Sequence, residues 1–189
     1  MITFIKKIKS LAVKKVNSVR NPALRDAISN RVNIMEVCGT HTMAIASAGI
    51  KSLLPKNINL ISGPGCPVCV TPAGIIDSAI ELAKNECIVS TFGDMMKVPG
   101  SISSLEKEKS NGCDIRIVYS AQDSLEIARK NPKKEVVFVG VGFETTSPTI
   151  AATVKIADKE KIKNFSVIPA FKLIPPALEI ILEQKKNKN

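Results

Sequence analysis

Three cysteines and the only histidine of the chain stand in two short motifs that could do chemistry. Cys38 and His41 are three residues apart, and Cys66 and Cys69 form a C-x-x-C pair. Cys38 directly precedes a predicted helix, where unpaired amide groups favour the thiolate form of a cysteine. A thiolate is a nucleophile or a ligand for soft metals, so we interpret Cys38 as a functional thiol rather than as a small buried side chain.

His41 and the C-x-x-C pair each admit more than one interpretation. A histidine next to Cys38 could be a metal ligand, a proton relay, or a donor that orients whatever Cys38 holds. We favour the relay or donor role over a structural histidine. The pair Cys66 and Cys69 could be a redox dithiol, in which one thiolate attacks and the other resolves, or half of a metal site.

A structural zinc site is the main alternative to thiol chemistry. Cys38 and His41 together with Cys66 and Cys69 would supply three sulfur atoms and one nitrogen to a tetrahedral zinc ion. Structural zinc typically holds together small, loop-rich modules, whereas these residues follow strands of a predicted sheet. The zinc protein therefore stays an alternative, which a zinc assay of anaerobically purified protein would test.

Two further segments carry polar residues at the ends of predicted strands. Asp94 and Lys97 follow one strand and form either a site pair or an ordinary solvated loop. Glu144, Thr145 and Thr146 follow another strand and offer hydroxyl and amide groups at a helix start, which suits an anion or a polar ligand. An ordinary helix cap is the alternative for this second segment.

The composition excludes several classes of protein. The chain has 189 residues, of which 44% are hydrophobic and 23% charged, as in globular proteins. Five cysteines at uneven spacing argue against a disulfide framework, and we interpret Cys87 and Cys113 as structural. The net charge of +10 comes mainly from lysines, with no Trp and one Tyr. We therefore expect a lysine-rich surface and no nucleic-acid binding.

The elements that position these motifs alternate between strands and helices. Apolar runs predict strands at 33–37, 58–62, 87–91, 115–119, 136–141 and 166–169, and helical periodicity predicts helices at 43–54, 74–84, 123–130 and 149–157. We expect Thr40 or Thr42 to cap the first of these helices. The pattern predicts an α/β fold with parallel, Rossmann-like sheet lobes flanked by helices. Ligands bind at the carboxyl ends of the strands in such sheets, where the motifs lie.

We expect three segments along the chain. Residues 1–31 form a basic amphipathic helical segment, residues 32–122 a first α/β lobe with the cysteine motifs, and residues 123–189 a partial second lobe with a lysine-rich tail. The second lobe is incomplete because only two strands are predicted in it, so the chain looks like the front part of a longer protein. No apolar run is long enough for a membrane span and no signal peptide is recognised, so we expect a cytoplasmic protein.

Four motifs in this order resemble the HypD family of hydrogenase maturation factors over residues 32–179. The motifs are Cys38-Gly39-Thr40-His41, Gly63-Pro64-Gly65-Cys66-Pro67-Val68-Cys69, Thr91-Phe92-Gly93-Asp94-Met95-Met96-Lys97-Val98-Pro99-Gly100 and Gly142-Phe143-Glu144-Thr145-Thr146. The resemblance implies two α/β lobes around a cleft and a further region with a [4Fe-4S] cluster. It also implies a scaffold, formed with a HypC-type chaperone, on which iron acquires two cyanides and one carbon monoxide.

The resemblance also implies partners and residue roles. HypE would deliver the cyanide after HypF has prepared it. Cys38 would bind the iron, and Cys66 and Cys69 would pass electrons or form a disulfide. Thiolates suit low-spin iron(II), and cyanide nitrogens accept hydrogen bonds. We therefore expect ligand contacts at a set of five residues: Thr40, Asp94, Glu144, Thr145 and Thr146.

The chain differs from the family pattern at its end, which lacks the cysteines that bind the cluster. We therefore expect no [4Fe-4S] cluster on this chain. Three hypotheses follow: a metal-centre assembly scaffold with a thiol redox step, a thiol-disulfide oxidoreductase using Cys66 and Cys69, and a structural zinc protein. We favour the scaffold over a turnover enzyme.

Overall fold

The chain is divided into two compact units, Met1–Cys66 and Pro67–Asn189. A computed structural model describes residues 32–63 and 65–186. The basic helix that the sequence predicts at residues 1–31 lies outside the described residues. Each unit contains a parallel sheet with helices in its connections, which confirms the predicted α/β class.

The first unit is built on a two-stranded parallel sheet. Strand β1 (Val32–Met35) pairs with β2 (Ile58–Ile61), with Val32 opposite Ile58 at one end and Met35 opposite Ile61 at the other. Helices α1 (Gly39–Ser47) and α2 (Ile50–Leu53) form the crossover between them. The segments after β1 and β2 therefore leave the same edge of this sheet, and they carry the Cys38 and Cys66 motifs.

The second unit contains a four-stranded parallel sheet in the order β4-β3-β5-β6. Its strands are β3 (Ile88–Thr91), β4 (Ile115–Ile117), β5 (Val136–Gly142) and β6 (Phe165–Phe171). The two central strands, β3 and β5, are buried along their whole length. Their continuous apolar sequence is the pattern expected of a sheet that is covered on both faces.

Helices and a short 3-10 helix surround this sheet. They are α3 (Ala73–Lys84), the 3-10 helix Gly93–Lys97, α4 (Leu105–Ser110), α5 (Ala121–Lys130), α6 (Ser147–Lys159) and α7 (Ile174–Lys186). Helix α3 buries Ile76, Ala79, Ile80 and Ala83, which repeat at helical spacing and face the core. Helix α5 begins with a capping box, in which Ser120 and Asp123 each bond the other's backbone amide.

The position of the division along the chain differs from the sequence interpretation. The sequence placed a lobe boundary near residue 122, whereas strands on both sides of that residue belong to the four-stranded sheet. The compact units divide between Cys66 and Pro67. Strands β5 and β6 pair along seven positions, and β5 also pairs with β3, so the late strands complete a sheet that begins before residue 122.

In residues 32–63 and 65–186, no helix combines the length and the apolar character that a bilayer crossing needs.

Candidate functional site

The Cys38 motif is organised by the carboxylate of Glu36, the first residue after β1. Glu36 Oε2 accepts a hydrogen bond from the Cys38 backbone amide at 2.9 Å. Its other oxygen, Oε1, accepts from the Thr42 hydroxyl at 2.5 Å and from the Gly63 amide at 3.3 Å. One side chain therefore links the segment after β1, the first turns of α1 and the segment after β2.

Glu36 is held in its charged form by these partners. The hydrogen bond from Thr42 lowers the pKa of the Glu36 carboxyl most, and the amides of Cys38 and Gly63 and the nearby His41 lower it further, against the opposing effect of burial. Anionic acceptors form the stronger class of hydrogen bond in proteins. The site therefore carries a fixed negative charge beside the turn that contains Cys38.

Two glycines allow the two motif segments of the first unit to approach closely. A Cβ atom on Gly63 would lie 1.9 Å from the carbonyl oxygen of Glu36, so no other residue fits there without a backbone shift. A Cβ atom on Gly39 would lie 3.3 Å from the Cβ of Cys66. The side chain of Cys66 therefore sits against the backbone of the residue that follows Cys38.

Cys38 occupies the N-cap position of α1. Its backbone is extended, with φ −148° and ψ 131°, and its carbonyl accepts the amides of His41 at 2.8 Å and Thr42 at 3.2 Å. The sequence predicted Thr40 or Thr42 as the cap, and that prediction is wrong. Thr40 lies inside the first turn, and the Thr42 hydroxyl is taken by Glu36, so Cys38 itself begins the helix.

The thiol of Cys38 is half-buried and is not in a disulfide. The Cys38 side chain makes no capping hydrogen bond. The first amides of α1 and the positive end of its dipole therefore lie beside the Cys38 position, an arrangement that favours bound anions. This confirms the sequence-based placement of Cys38 immediately before a helix.

His41 and Thr40 are both exposed, on the first turn of α1. His41 and Glu36 are polar members of the lining of a cavity of about 500 Å³ beside β1, β2 and α1. The other lining residues are apolar and include Ile34, Met35, Ile45 and Leu60. His41 thus stands next to the Glu36 charge, within the same unit as Cys38 and Cys66.

Cys66 and Cys69 lie in the segment between β2 and α3. Cys66 is half-buried, and Cys69 is exposed. The Thr71 hydroxyl donates to the carbonyl of Pro67 at 2.9 Å, which closes the turn that contains Cys69. The division between the compact units falls directly after Cys66, inside the C-x-x-C motif.

In the second unit, the predicted residues follow two neighbouring strands. Asp94 and Lys97 are exposed on the 3-10 helix after β3. Glu144, Thr145 and Thr146 follow β5, and β3 pairs with β5 in parallel. The sheet therefore brings the Asp94 segment and the Glu144 segment to the same edge, as the sequence predicted.

The turn after β5 is packed tightly against its own helix. Glu144 is half-buried, and its Oε1 accepts the amide of Ile174 at 2.7 Å, which fixes the start of α7. A Cβ atom on Gly142 would lie 2.5 Å from the Thr146 side chain. Thr146 is the N-cap of α6 but makes no capping hydrogen bond with its side chain, and Thr145 is exposed. Glu144 therefore has a structural partner, whereas the hydroxyl of Thr145 faces solvent.

Within the part of the chain that the structure describes, no three His, Cys, Asp or Glu side chains are grouped so that they could hold a metal ion. The set of Cys38, His41, Cys66 and Cys69 that the zinc alternative requires is thus not assembled there as a ligand cluster. The first unit offers soft thiol donors at Cys38 and Cys66.

Sequence reasoning did not single out Glu36, although Glu36 organises the Cys38 turn. The available indication was its position, since it is a carboxylate directly after an apolar strand and two residues before Cys38. Its partners, Thr42 and Gly63, are separated from it by 6 and 27 residues, and only the folded structure shows that one carboxylate serves both.

Comparison with known proteins identifies relatives along most of the chain. A family model described as HypD, "Hydrogenase formation hypA family", matches residues 10–189. The Hydrogenase maturation factor HypD of Escherichia coli is 49% identical over 157 residues, which cover 82% of this chain and 42% of the relative. The HypD of Cupriavidus necator is 50% identical over 155 residues, with 81% and 41% covered.

A relative with lower sequence identity matches a longer part of the chain. A hydrogenase expression/formation protein of Methanocaldococcus jannaschii is 41% identical over 173 residues, which cover 92% of this chain and 47% of that protein. The chain thus spans less than half the length of these curated relatives.

Proposed function

Since the chain belongs to the HypD family of hydrogenase maturation factors, we propose that it serves as an assembly scaffold for the iron of a [NiFe]-hydrogenase. In this role it works in the cytoplasm with a HypC-type chaperone. Iron is the cargo, which acquires two cyanide ligands and one carbon monoxide ligand while it is held.

The observation that carries this proposal is the placement of Cys38. Its thiol stands at the N-terminus of α1, in a turn that the Glu36 carboxylate fixes through the Cys38 amide at 2.9 Å. The Cys66 side chain lies against Gly39, the neighbour of Cys38. Cys38 is the proposed iron ligand of this chain, and the chaperone supplies a further ligand.

Cys66 and Cys69 are proposed to carry the redox step. When the two thiols close into a disulfide, they release two electrons and two protons. The electrons reduce the cyanide precursor that a HypE-type donor carries after HypF-type preparation, and the protons pass to solvent or to the released product. The exposure of Cys69 supports this role, because a redox pair needs one sulfur atom that the molecule to be reduced can reach.

The remaining predicted residues are proposed to contact the ligands of the iron. His41 is an exposed proton relay next to Glu36, and Thr40 offers a hydroxyl on the same helical turn. Asp94, Thr145 and Thr146 offer polar groups at the edge where β3 and β5 end. Cyanide nitrogens accept hydrogen bonds, so hydroxyl and amide donors are suitable partners for them. Glu144 acts by fixing this turn through the Ile174 amide.

The iron content of the complex with a HypC-type chaperone tests this assignment. The two proteins are produced together and purified without oxygen, and iron is measured per complex for the wild type, Cys38→Ser and the matched control Cys113→Ser. We expect about one iron in the wild type and the control, and at least a tenfold loss in Cys38→Ser, because a hydroxyl is a poor ligand for soft iron. Equal iron in Cys38→Ser, or an intact wild-type complex without iron, would contradict the assignment.

The second candidate is a thiol-disulfide oxidoreductase, which the exposed Cys69 of a C-x-x-C pair also favours. Reduction of a disulfide-bonded test substrate by the isolated chain, with a free dithiol such as dithiothreitol as the reductant, distinguishes the two functions. The scaffold predicts no turnover above that of free dithiol, whereas an oxidoreductase predicts turnover that is lost in Cys66→Ser and kept in Cys38→Ser.

A further inference from the structure

Two cysteines outside the family motifs lie at the start of neighbouring strands in the second unit. Cys87 immediately precedes β3, and Cys113 lies two residues before β4. Strands β3 and β4 are parallel, and Val89 is opposite Ile115. Cys87 and Cys113 each stand two residues before this pair, in the turns that lead into the strands.

The spacing of neighbouring strands is compatible with a disulfide. Neighbouring strands lie about 4.7–4.9 Å apart, and cysteines joined by a disulfide have Cα atoms about 4.4–6.8 Å apart. Val89 and Ile115 belong to the same buried cluster, against which Cys113 also packs.

The cavity at this end of the sheet supplies an independent observation. Cys87 and Cys113 both line a cavity of about 580 Å³, together with Lys84 and Lys134. Both cysteines are half-exposed free thiols, so a small reagent in the cavity reaches them. The thiolate is the reactive species in disulfide exchange.

The turns into the two strands also match. Cys87 follows Glu86, which has φ +66°, and Cys113 follows Gly112, which has φ +100°. Each cysteine is anchored through its amide, from Cys87 to the Leu82 carbonyl at 3.2 Å and from Cys113 to the Glu108 carbonyl at 3.1 Å. Both backbones are therefore held in place at the point where the thiols face one cavity.

We propose that Cys87 and Cys113 form an oxidisable dithiol, which closes into a disulfide between the starts of β3 and β4. With glutathione disulfide as oxidant, one cysteine thiolate attacks a glutathione sulfur and releases one glutathione. The second cysteine then attacks the mixed disulfide and releases the other. The two cysteines lose two electrons and two protons, and glutathione disulfide gains both to become two glutathione molecules.

This dithiol is separate from the proposed iron site. Cys87 and Cys113 stand at the amino ends of β3 and β4, whereas the Asp94 and Glu144 segments follow the carboxyl ends of β3 and β5. The inference therefore does not depend on the iron chemistry. It assigns to this chain a second thiol site that responds to oxidising conditions.

Peptide mapping after oxidation tests the proposal directly. The full chain is equilibrated with glutathione disulfide, free thiols are alkylated, and the protein is digested with trypsin without reduction. Cleavage at lysine and arginine leaves Cys87 alone in residues 85–97 and Cys113 alone in residues 110–116, while Cys66 and Cys69 share residues 57–84. The expected product is the 85–97 peptide linked to the 110–116 peptide, in protein that runs as a monomer on a non-reducing gel.

Two variants complete the test. The double variant Cys66→Ser/Cys69→Ser should form the same linked peptide, because the C-x-x-C pair plays no part in it. Cys87→Ser should lose the linked peptide and leave Cys113 alkylated or carrying glutathione. The proposal is overturned if wild-type Cys87 and Cys113 remain alkylated while Cys66 and Cys69 oxidise, if each carries glutathione without linking, or if the link occurs only between two chains.

Discussion

At the scale of single residues, Glu36 has the most partners around the proposed iron ligand. Its carboxylate accepts from the Thr42 hydroxyl and from the amides of Cys38 and Gly63, which lie on two different segments. Removing one acceptor leaves several donors unsatisfied, and that loss costs more than the net energy of one hydrogen bond. The geometry of the Cys38 turn therefore depends on a residue that does not bind iron in our account.

The charge of Glu36 should make the stability of the protein depend on pH. Its folded-state pKa lies below the ordinary value of 4.5, chiefly because of the Thr42 hydrogen bond. A lowered pKa gives stabilisation that is fully present above the unfolded-state value and is lost as the pH falls through the folded-state value. We expect Glu36→Gln to lower the free energy of unfolding by about 1–3 kcal/mol at neutral pH.

Urea unfolding followed by circular dichroism between neutral and acidic pH measures this effect. The difference between the wild type and Glu36→Gln should shrink as the pH falls from 4.5 through the lowered folded-state pKa of Glu36, because the wild-type carboxyl then takes up its proton. The exposed Glu135 provides the control variant, Glu135→Gln, which should behave like the wild type. A difference between Glu36→Gln and the wild type that stays constant over the whole pH range would show that charge at Glu36 plays no part.

A substitution at Gly63 tests whether the segments after β1 and β2 must approach each other closely. A Cβ atom there would lie 1.9 Å from the Glu36 carbonyl oxygen, whereas a Cβ atom on Gly74 would meet nothing within 4 Å. We expect Gly63→Ala to destabilise the protein by about 2 kcal/mol or more, because the backbone must move. Gly74→Ala lies in the first turn of α3 and should be neutral or stabilising by up to about 1 kcal/mol. Equal melting temperatures for the two variants would contradict this account of the turn.

At the scale of elements, the loop after the 3-10 helix is fastened to α3 by one carboxylate. Asp77 accepts from the Ser101 amide at 2.8 Å and from the Ser101 hydroxyl at 2.6 Å, which lowers the pKa of the Asp77 carboxyl. A Cβ atom on Gly100 would lie 2.4 Å from Asp77 Oδ1, so a side chain at this position would displace the Asp77 carboxylate from the loop. This contact ties the Asp94 segment of the proposed site to a buried helix.

Hydrogen exchange should detect the loss of this fastening. Asp77→Asn retains one acceptor oxygen in place of two, so we expect several-fold faster exchange of amides in residues 98–103 and unchanged exchange in β5. The exposed Asp158 on α6 offers the matched control Asp158→Asn, which should leave the loop unchanged. Unaltered exchange of residues 98–103 in Asp77→Asn would mean that the loop is held by other contacts.

The order of the strands could be read from the sequence, whereas the helices α4 and α7 and the capping contacts could not. Alternation of apolar runs with helical periodicity located all six described strands to within a few residues, because buried parallel strands are continuously apolar. The start of α1 was misplaced because threonine is a preferred cap, and its competitor, the Glu36 carboxylate, is identifiable only after β1 and β2 pair. The pairing of β3 with β4, which brings the turns that carry Cys87 and Cys113 to one cavity, likewise follows from the fold and not from spacing in the sequence.

At the scale of the whole molecule, the sequence identified the family but placed a boundary elsewhere than the compact units do. The motif residues come in the order that the HypD family shows, and the matched relatives confirm that membership. The boundary near residue 122 rested on counting strands in each half. Sheet order is not sequential here, since β3 lies between β4 and β5, so strand counts do not reveal which strands share a sheet.

The most direct test of the proposed scaffold is infrared spectroscopy of the complex with a HypC-type chaperone, purified anaerobically from cells that contain the cyanide donors. Cyanide and carbonyl stretches report iron that has received its ligands, and no amino-acid side chain gives them. We predict both sets of bands in the wild type and in Cys113→Ser, and neither in Cys38→Ser. Bands of equal strength in Cys38→Ser, or an iron-loaded wild-type complex without them, would contradict the account.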